Sequence, residues 1–235
     1  MLELINVTKN YKDQKAVSEV SFTLDRGQVL GLVGANGAGK STCVSMIATL
    51  IKPDSGQILF NGKDIVKEPD AIRRRLGYVP QDIALYETLS GLDNLKFWGK
   101  SYGVHSDQLD AEIKRVCDII SFDSSLLKKR VSNYSGGMKR RLNIGVALLH
   151  KPELVILDEP TTGIDLQSGL QILKAIEELK IHGTSIIYVG HYMEEVEKIS
   201  THICLLDHGV CKAFGTMEEV LKKSGSGSLS DLVLK

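Results

Sequence analysis

A chain of 235 residues with 43% hydrophobic content can bury a sizeable core, as one large domain or as a domain with an insertion, which argues against disorder. Lysine plus arginine and aspartate plus glutamate balance at 29 each, so there is neither a global basic field for nucleic acid nor an acidic surplus. The four cysteines, Cys43, Cys117, Cys204 and Cys211, form no C-x-x-C pair and read as reduced, buried packing thiols. No run of about 18 apolar residues could span a bilayer, so the chain by itself is expected to be soluble.

In chain order, Leu2 to Val7 and Val20 to Leu24 mix apolar, β-branched and polar residues as half-exposed strands do, with Tyr11 in the connection. Val29 to Val33 is an apolar strand, and a mostly buried helix is expected from about Lys40 or Thr42 to Ile51, stopped by Pro53. Gln57 to Phe60 is a short strand before an Asn61-Gly62 hairpin signal. Pro69 to Arg75 opens a helix with Arg73, Arg74 and Arg75 on a solvated face, and Leu76 to Val79 is a buried strand ending at Pro80-Gln81.

From about 85 to 150 the pattern turns helical (Leu92 to Tyr102, Leu109 to Ile120, Met138 to Leu149), as expected of a helical subdomain inserted into the chain. Strand character returns in Leu154 to Leu157, Ser185 to Val189 and Ile203 to Leu206, with an amphipathic helix over Leu170 to Leu179. Strands alternating with helices imply parallel pairing, so the core is expected to be an open α/β sheet. The expectation is a single domain over 1–235. Its last stretch, 224–235, is a flexible tail by composition, whose Leu229 to Lys235 could dock back or reach a partner.

Between the strand Val29 to Val33 and the following helix lies Gly34-Ala35-Asn36-Gly37-Ala38-Gly39-Lys40-Ser41. Three glycines let the backbone wrap an anion, and the helix start adds its positive end. Lys40 is placed to reach the outer phosphates and Ser41 to ligate magnesium. By itself this loop says only nucleoside triphosphate. The strand Leu154 to Leu157 ends in Asp158-Glu159, beyond the carboxyl end of a parallel strand, where ligands of such sheets bind. Asp158 is positioned to hold magnesium and Glu159 to polarise an attacking water. A second glycine segment, Ser135-Gly136-Gly137, leads into a helix with Ser135 as N-cap. Alone it reads as a capped helix start with Lys139 to Arg141 solvated, yet it also leaves backbone donors free for a phosphate, one belonging to another molecule's nucleotide.

The ordered set of Gly34 to Ser41, Gln81, Ser135 to Gly137, Asp158-Glu159, Asp165 and His191 resembles the nucleotide-binding subunit of an ATP-binding cassette (ABC) transporter across essentially the whole chain. The resemblance implies a P-loop NTPase with a RecA-like, mostly parallel sheet, an N-terminal antiparallel β portion and the helical insertion. It makes Gly34, Asn36, Gly37, Gly39, Lys40, Ser41 and Thr42 nucleotide-binding residues, joined by Ser135, Gly136, Gly137 and Asp165. It implies that Tyr11 stacks on adenine. Gln81, by the same resemblance, senses the metal and γ-phosphate, Asp165 crosses to the opposite subunit, and His191 holds the γ-phosphate and catalytic water. The metal set is Ser41, Gln81 and Asp158; the catalytic set is Glu159, His191, Gln81 and Lys40. The pattern departs from the family at Tyr134 and Met138, where leucine and glutamine are usual, and in the loop carrying Asp165. Tyr134 to Leu142 with Tyr78 to Gln81 looks like the branch serving exporters of drugs, antibiotics, lipids or polysaccharides.

The implied activity is a magnesium-dependent ATPase with ATP and Mg2+ as its cofactors. Two cassettes, identical or different, would close head to tail around ATP and drive a separate integral-membrane permease. The chain is then peripheral, on the cytoplasmic side of the cell membrane, and has no nucleic-acid partner. The surface near Gln81 and from Asp82 to Leu95 is expected to meet the permease. Two other classes fit less well: a non-transport ATPase of the same fold, usually with two cassettes or a long coiled-coil insertion, and an ATP-sensing module without Glu159 and His191 chemistry.

Overall fold

The computed structural model describes residues 1–12 and 14–233. It opens with an antiparallel pair, β1 (Leu2–Tyr11) and β2 (Gln14–Leu24), which runs from Leu2 opposite Leu24 to Tyr11 opposite Gln14 with register shifts between Leu4 and Asn10. Both strands outrun their apolar patterning, because the exposed outer residues extend the ladder without adding burial. Tyr11 is therefore the last residue of β1 and not part of a connection. Asp54 supports this end, accepting from Lys9 Nζ at 2.8 Å and from the Asn10 backbone N–H at 2.7 Å.

The next strands are β3 (Val29–Val33), β4 (Ser55–Phe60) and β5 (Lys63–Asp64). β4 pairs with β1 and then with β5 through the expected tight turn, in which Asn61 and Gly62 both have positive φ (51° and 78°). The small sheet runs β2-β1-β4-β5.

The large sheet contains β3 with β6 (Leu76–Val79), β7 (Leu154–Asp158), β8 (Ser185–Val189), β9 (His202–Asp207) and β10 (Val210–Thr216). Its order is β10-β9-β3-β8-β7-β6, parallel throughout except for the hairpin partner β10. β3, β7 and β8 are buried at every residue, as a parallel sheet covered on both faces requires. Alternate side chains enter two cores. Leu30, Leu32, Ile156, Ile187 and Cys204 pack with the small sheet and α1 (Lys40–Ile47), whereas Val29, Val155, Leu157, Ile186 and Tyr188 pack under the helices of the other face. The result is the α/β architecture implied by the sequence, with a mostly parallel core, an N-terminal antiparallel sheet and helical segments.

Helix α1 stops at Ile47, short of Ile51. Thr49 enters the left-handed region (φ 58°), and its N–H and that of Leu50 donate to Met46 O and Ser45 O, a paired closure of the last turn well before Pro53. A single turn, α2 (Asp70–Arg73), precedes β6. The stretch from 85 to 150 holds α3 (Gly91–Ser101), α4 (Ser106–Ile119), two short 3-10 turns and α5 (Gly136–Leu148). α6 (Leu166–Ile181) and the short α7 (Met193–Ile199) complete this face.

Sequence patterning missed β10, α7 and α8 (Met217–Ser224), all too short or too mixed to show a period. In the stretch read as a tail, Gly225 ends α8 with φ 61°, and α9 (Leu229–Val233) follows. Leu229 is fully buried and its N–H donates to Glu197 on α7, so this part docks back; Leu234 and Lys235 lie outside the described residues. Cys43, Cys117 and Cys204 are buried as expected, but Cys211 is half-exposed.

Candidate functional site

The strand order decides where the chemistry gathers. β3, β8, β7 and β6 are consecutive neighbours and run the same way, so the residues that follow them emerge along one edge. Those residues are the glycine loop, Gly190-His191, Asp158-Glu159 and Pro80-Gln81.

The glycine loop is built into its surroundings. Gly34 has φ 147°, and a Cβ there would fall 2.1 Å from the Leu206 carbonyl oxygen; Gly39 has φ 101°, with the Ala16 carbonyl oxygen 2.4 Å from its Cβ position. Neither position admits another residue. Gly39 also begins α1 with no side-chain cap, leaving the first-turn N–H groups of Lys40, Ser41 and Thr42 for an anion. Asn36 and Gly37 form the exposed crest. Lys40, only 6% exposed, donates through Nζ to Gly34 O at 2.6 Å and Ala35 O at 3.0 Å. Burial lowers its pKa, while Glu159 and Asp158 pull it back up.

Asp158 ends β7 buried, and its pKa is raised first by that burial and then by neighbouring Glu159, against Lys40, Arg140 and His191. Glu159 is held from two sides: His191 Nε2 lies 2.6 Å from Oε1, and Gln81 Nε2 donates to Oε2 at 2.9 Å. Its backbone has φ 49° with the N–H donating to Val189 O at 2.9 Å, a conformation that costs a non-glycine residue about 1–3 kcal/mol and aims the carboxylate along the edge. The structure thus brings Lys40, Gln81, Asp158, Glu159 and His191 together. A carboxylate fixed by an amide and an imidazole beside a buried ammonium is equipped to polarise water. For a hard cation, the Ser41 hydroxyl, the Gln81 amide oxygen and the Asp158 carboxylate are oxygen donors of the right kind. Among the described residues, no group of three or more His, Cys, Asp or Glu has the arrangement to hold a metal ion by itself.

Other predicted residues stand apart. Tyr11 is half exposed at the hairpin end whose Ala16 abuts Gly39, with Lys9 Nζ 5.9 Å from its ring centroid. Ser135 caps α5, accepting from the Met138 N–H at 3.2 Å. Gly136 has open space where a Cβ would be, while at Gly137 a Cβ would meet Ser168 Oγ at 2.0 Å and Asp165 Oδ2 at 3.0 Å. Asp165 in turn caps α6 within its own chain, accepting from Ser168 N–H at 2.9 Å. Among the described residues, no hydrogen bond joins Ser135 to Gly137 with the glycine loop.

Two sets of residues escaped sequence reasoning. Arg140, read as part of a solvated face, is 7% exposed and donates through Nη1 to Gln81 O at 2.6 Å and Pro80 O at 3.1 Å. It ties the start of α5 to the glutamine loop. Its helical spacing from Gly137 and Ile144, both buried, was the available signal. Fully buried Tyr188 donates to Glu195 Oε2 at 2.7 Å, and Thr161 Oγ1 donates to the same oxygen at 2.6 Å, bracing α7 and His191 against the segment after Glu159. Burial pushes the Tyr188 hydroxyl pKa up. The Tyr188 hydroxyl inside the apolar run from Ile186 to Val189 was the signal here. A cleft of about 560 Å³ lies at the opposite end of the sheet, lined by Arg26, Arg115, Lys151, Glu153 and His182, and includes none of the site residues.

Residues 17–162 match the family described as ABC transporter. The chain is 43% identical over 234 residues to the linearmycin resistance ATP-binding protein LnrL of Bacillus subtilis, covering 100% of this chain and 75% of that protein. It is 38% identical over 223 residues to the doxorubicin resistance ATP-binding protein DrrA of Mycobacterium tuberculosis, covering 93% of this chain and 66% of that one. A solved structure of an ATP-binding subunit of an ABC transporter superposes with a TM-score of 0.90 at 30% identity, covering 100% of this chain and 98% of that one.

Proposed function

The chain belongs to the ABC transporter family as an ATP-binding, ATP-hydrolysing subunit, and from that premise we propose that it hydrolyses Mg-ATP between two cassettes to drive export through a separate permease. The observation that carries this reading is Glu159 fixed between Gln81 and His191 on the strand edge that also bears Lys40 and Asp158. The names of the relatives, linearmycin and doxorubicin resistance, support export.

In this mechanism the loop N–H groups and Lys40 bind the β- and γ-phosphates, and Lys40 exchanges its bonds to Gly34 O and Ala35 O for phosphate oxygens. Mg2+, held by Ser41 and Asp158 with Gln81, would supply neutralisation of the phosphate charge. Glu159 polarises the attacking water, and His191 keeps that carboxylate oriented. Tyr11 stacks on the adenine. Ser135, Gly136 and Gly137 of the second cassette, identical or different, close over the γ-phosphate, with Asp165 at the seam. No helix among the described residues is long and apolar enough to cross a membrane, and in this reading translocation is carried by an integral-membrane partner. Its docking surface is the segment from Gln81 to Leu95, where Tyr86 and Leu89 are exposed and Arg140 provides the link to α5. The cassette then works at the cytoplasmic side of the membrane.

Replacing Glu159 with Gln keeps the Gln81 and His191 neighbours but removes the base. Turnover should fall about 10²–10⁴-fold with ATP affinity retained and a long-lived ATP-bound dimer by size-exclusion chromatography. Unchanged phosphate release would sink the assignment.

A further inference from the structure

Cys204 on β9 and Cys211 on β10 have their sulfurs 3.6 Å apart. Cys204 is fully buried; Cys211 is half-exposed beside the register shift between Cys211 and Ala213. The segment enclosed by this pair is the one that grips the glycine loop. Leu206 O stands against Gly34, Gly209 N–H donates to Ala38 O at 3.0 Å, and Gly209 O accepts from Ser18 N–H at 2.7 Å. His208 and Gly209 make the turn with positive φ of 44° and 78°, so its geometry is tightly set.

We propose that Cys204 and Cys211 are a reversible disulfide pair which, oxidised by hydrogen peroxide, weakens nucleotide binding by displacing the β9–β10 turn from the glycine loop. The proposal rests on the nucleotide-binding reading of that loop. Accessibility makes Cys211 the attacking sulfur, and a hydrogen bond from Cys204 lowers its pKa in the same direction. The third nearby thiol, Cys43 on α1, is fully buried with its pKa pushed up to about 12, so it stays protonated.

The Cys211 thiolate attacks one peroxide oxygen; the O–O bond breaks, giving a sulfenic acid and hydroxide, which takes the thiol proton to become water. The Cys204 sulfur then attacks the Cys211 sulfur. The S–S bond forms, the S–O bond breaks, and the departing hydroxide leaves as a second water with the Cys204 proton. Two thiols lose two electrons and one peroxide is reduced to two waters. Shortening the contact from 3.6 Å to a bond of about 2.05 Å draws the strands together beneath the turn.

The test uses the whole chain, treated with hydrogen peroxide or left reduced. Trypsin releases residues 199–212 as one peptide containing both cysteines. After peroxide it should be lighter by two hydrogens and resist alkylation until dithiothreitol is added. Affinity for a fluorescent ATP analogue should fall roughly fivefold or more and recover on reduction. Cys211→Ser should bind as the reduced protein does and ignore peroxide, and Cys117→Ser should respond like the unaltered chain. Oxygen added to Cys211 without a cross-link would overturn the proposal, as would a cross-link that leaves affinity unchanged. A reduced protein that binds no ATP would overturn the nucleotide reading itself.

Discussion

The glycine loop from Gly34 to Ser41 and the segment from Ser135 to Gly137 use the same local device, small residues that leave backbone donors free at the start of a helix. Their surroundings differ. The loop is wedged between Leu206 O and Ala16 O and shares its edge with Lys40, Asp158, Glu159, Gln81 and His191. Ser135 to Gly137 has a wall of Ser168 and Asp165 on one side and open space at Gly136 on the other. One segment is equipped to react and the other only to touch, which is why the proposed catalytic unit takes one from each of two cassettes.

Glycine substitution separates the two most sharply. Gly34→Ala forces a methyl against a backbone carbonyl at positive φ and should cost on the order of 3 kcal/mol or more, seen as a large drop in Tm or loss of soluble protein. Gly136→Val meets nothing within 4 Å in its own chain, so Tm and monomer ATP affinity should hold while turnover falls about 100-fold. Equal destabilisation by both would erase the contrast.

A smaller effect probes the cost of the reactive edge. Because burial raises the pKa of Asp158, folding becomes less favourable as pH rises from 3.8 through the folded-state value, and ionised Asp158 opposes folding at neutral pH. Asp158→Asn should therefore raise Tm at pH 7.5 while abolishing magnesium-dependent turnover; a lower Tm would contradict this account.

The smallest expected effect lies outside both segments. Burial lowers the pKa of His150, whose Nε2 is 3.0 Å from Leu76 O, so its contribution is present above pH 6.5 and lost as pH falls through the folded value. His150→Phe should flatten the Tm difference between pH 7.5 and pH 5.0 without altering turnover at pH 7.5.

Most of the strands were legible because short apolar runs and turn signals are local: Asn61-Gly62, Ser185 to Val189 and Leu76 to Val79 appear where short windows put them. Elements such as α7 and β10 were not, since a seven-residue segment of mixed polarity owes its shape to neighbours. The arginine after the second glycine segment misled for the same reason, as a guanidinium is read as solvated until two carbonyls are found beside it.

For the glycine loop, the amino-acid sequence by itself determined which residues can take positive φ and where an uncapped helix begins, while its seat between Leu206 O and Ala16 O is tertiary. Only the tertiary structure decided that Gln81 would reach Glu159 across 78 residues of sequence and that His191 would meet its other oxygen. The physical reason is the strand order: parallel neighbours β6, β7, β8 and β3 end on one edge, and no window of sequence contains that edge.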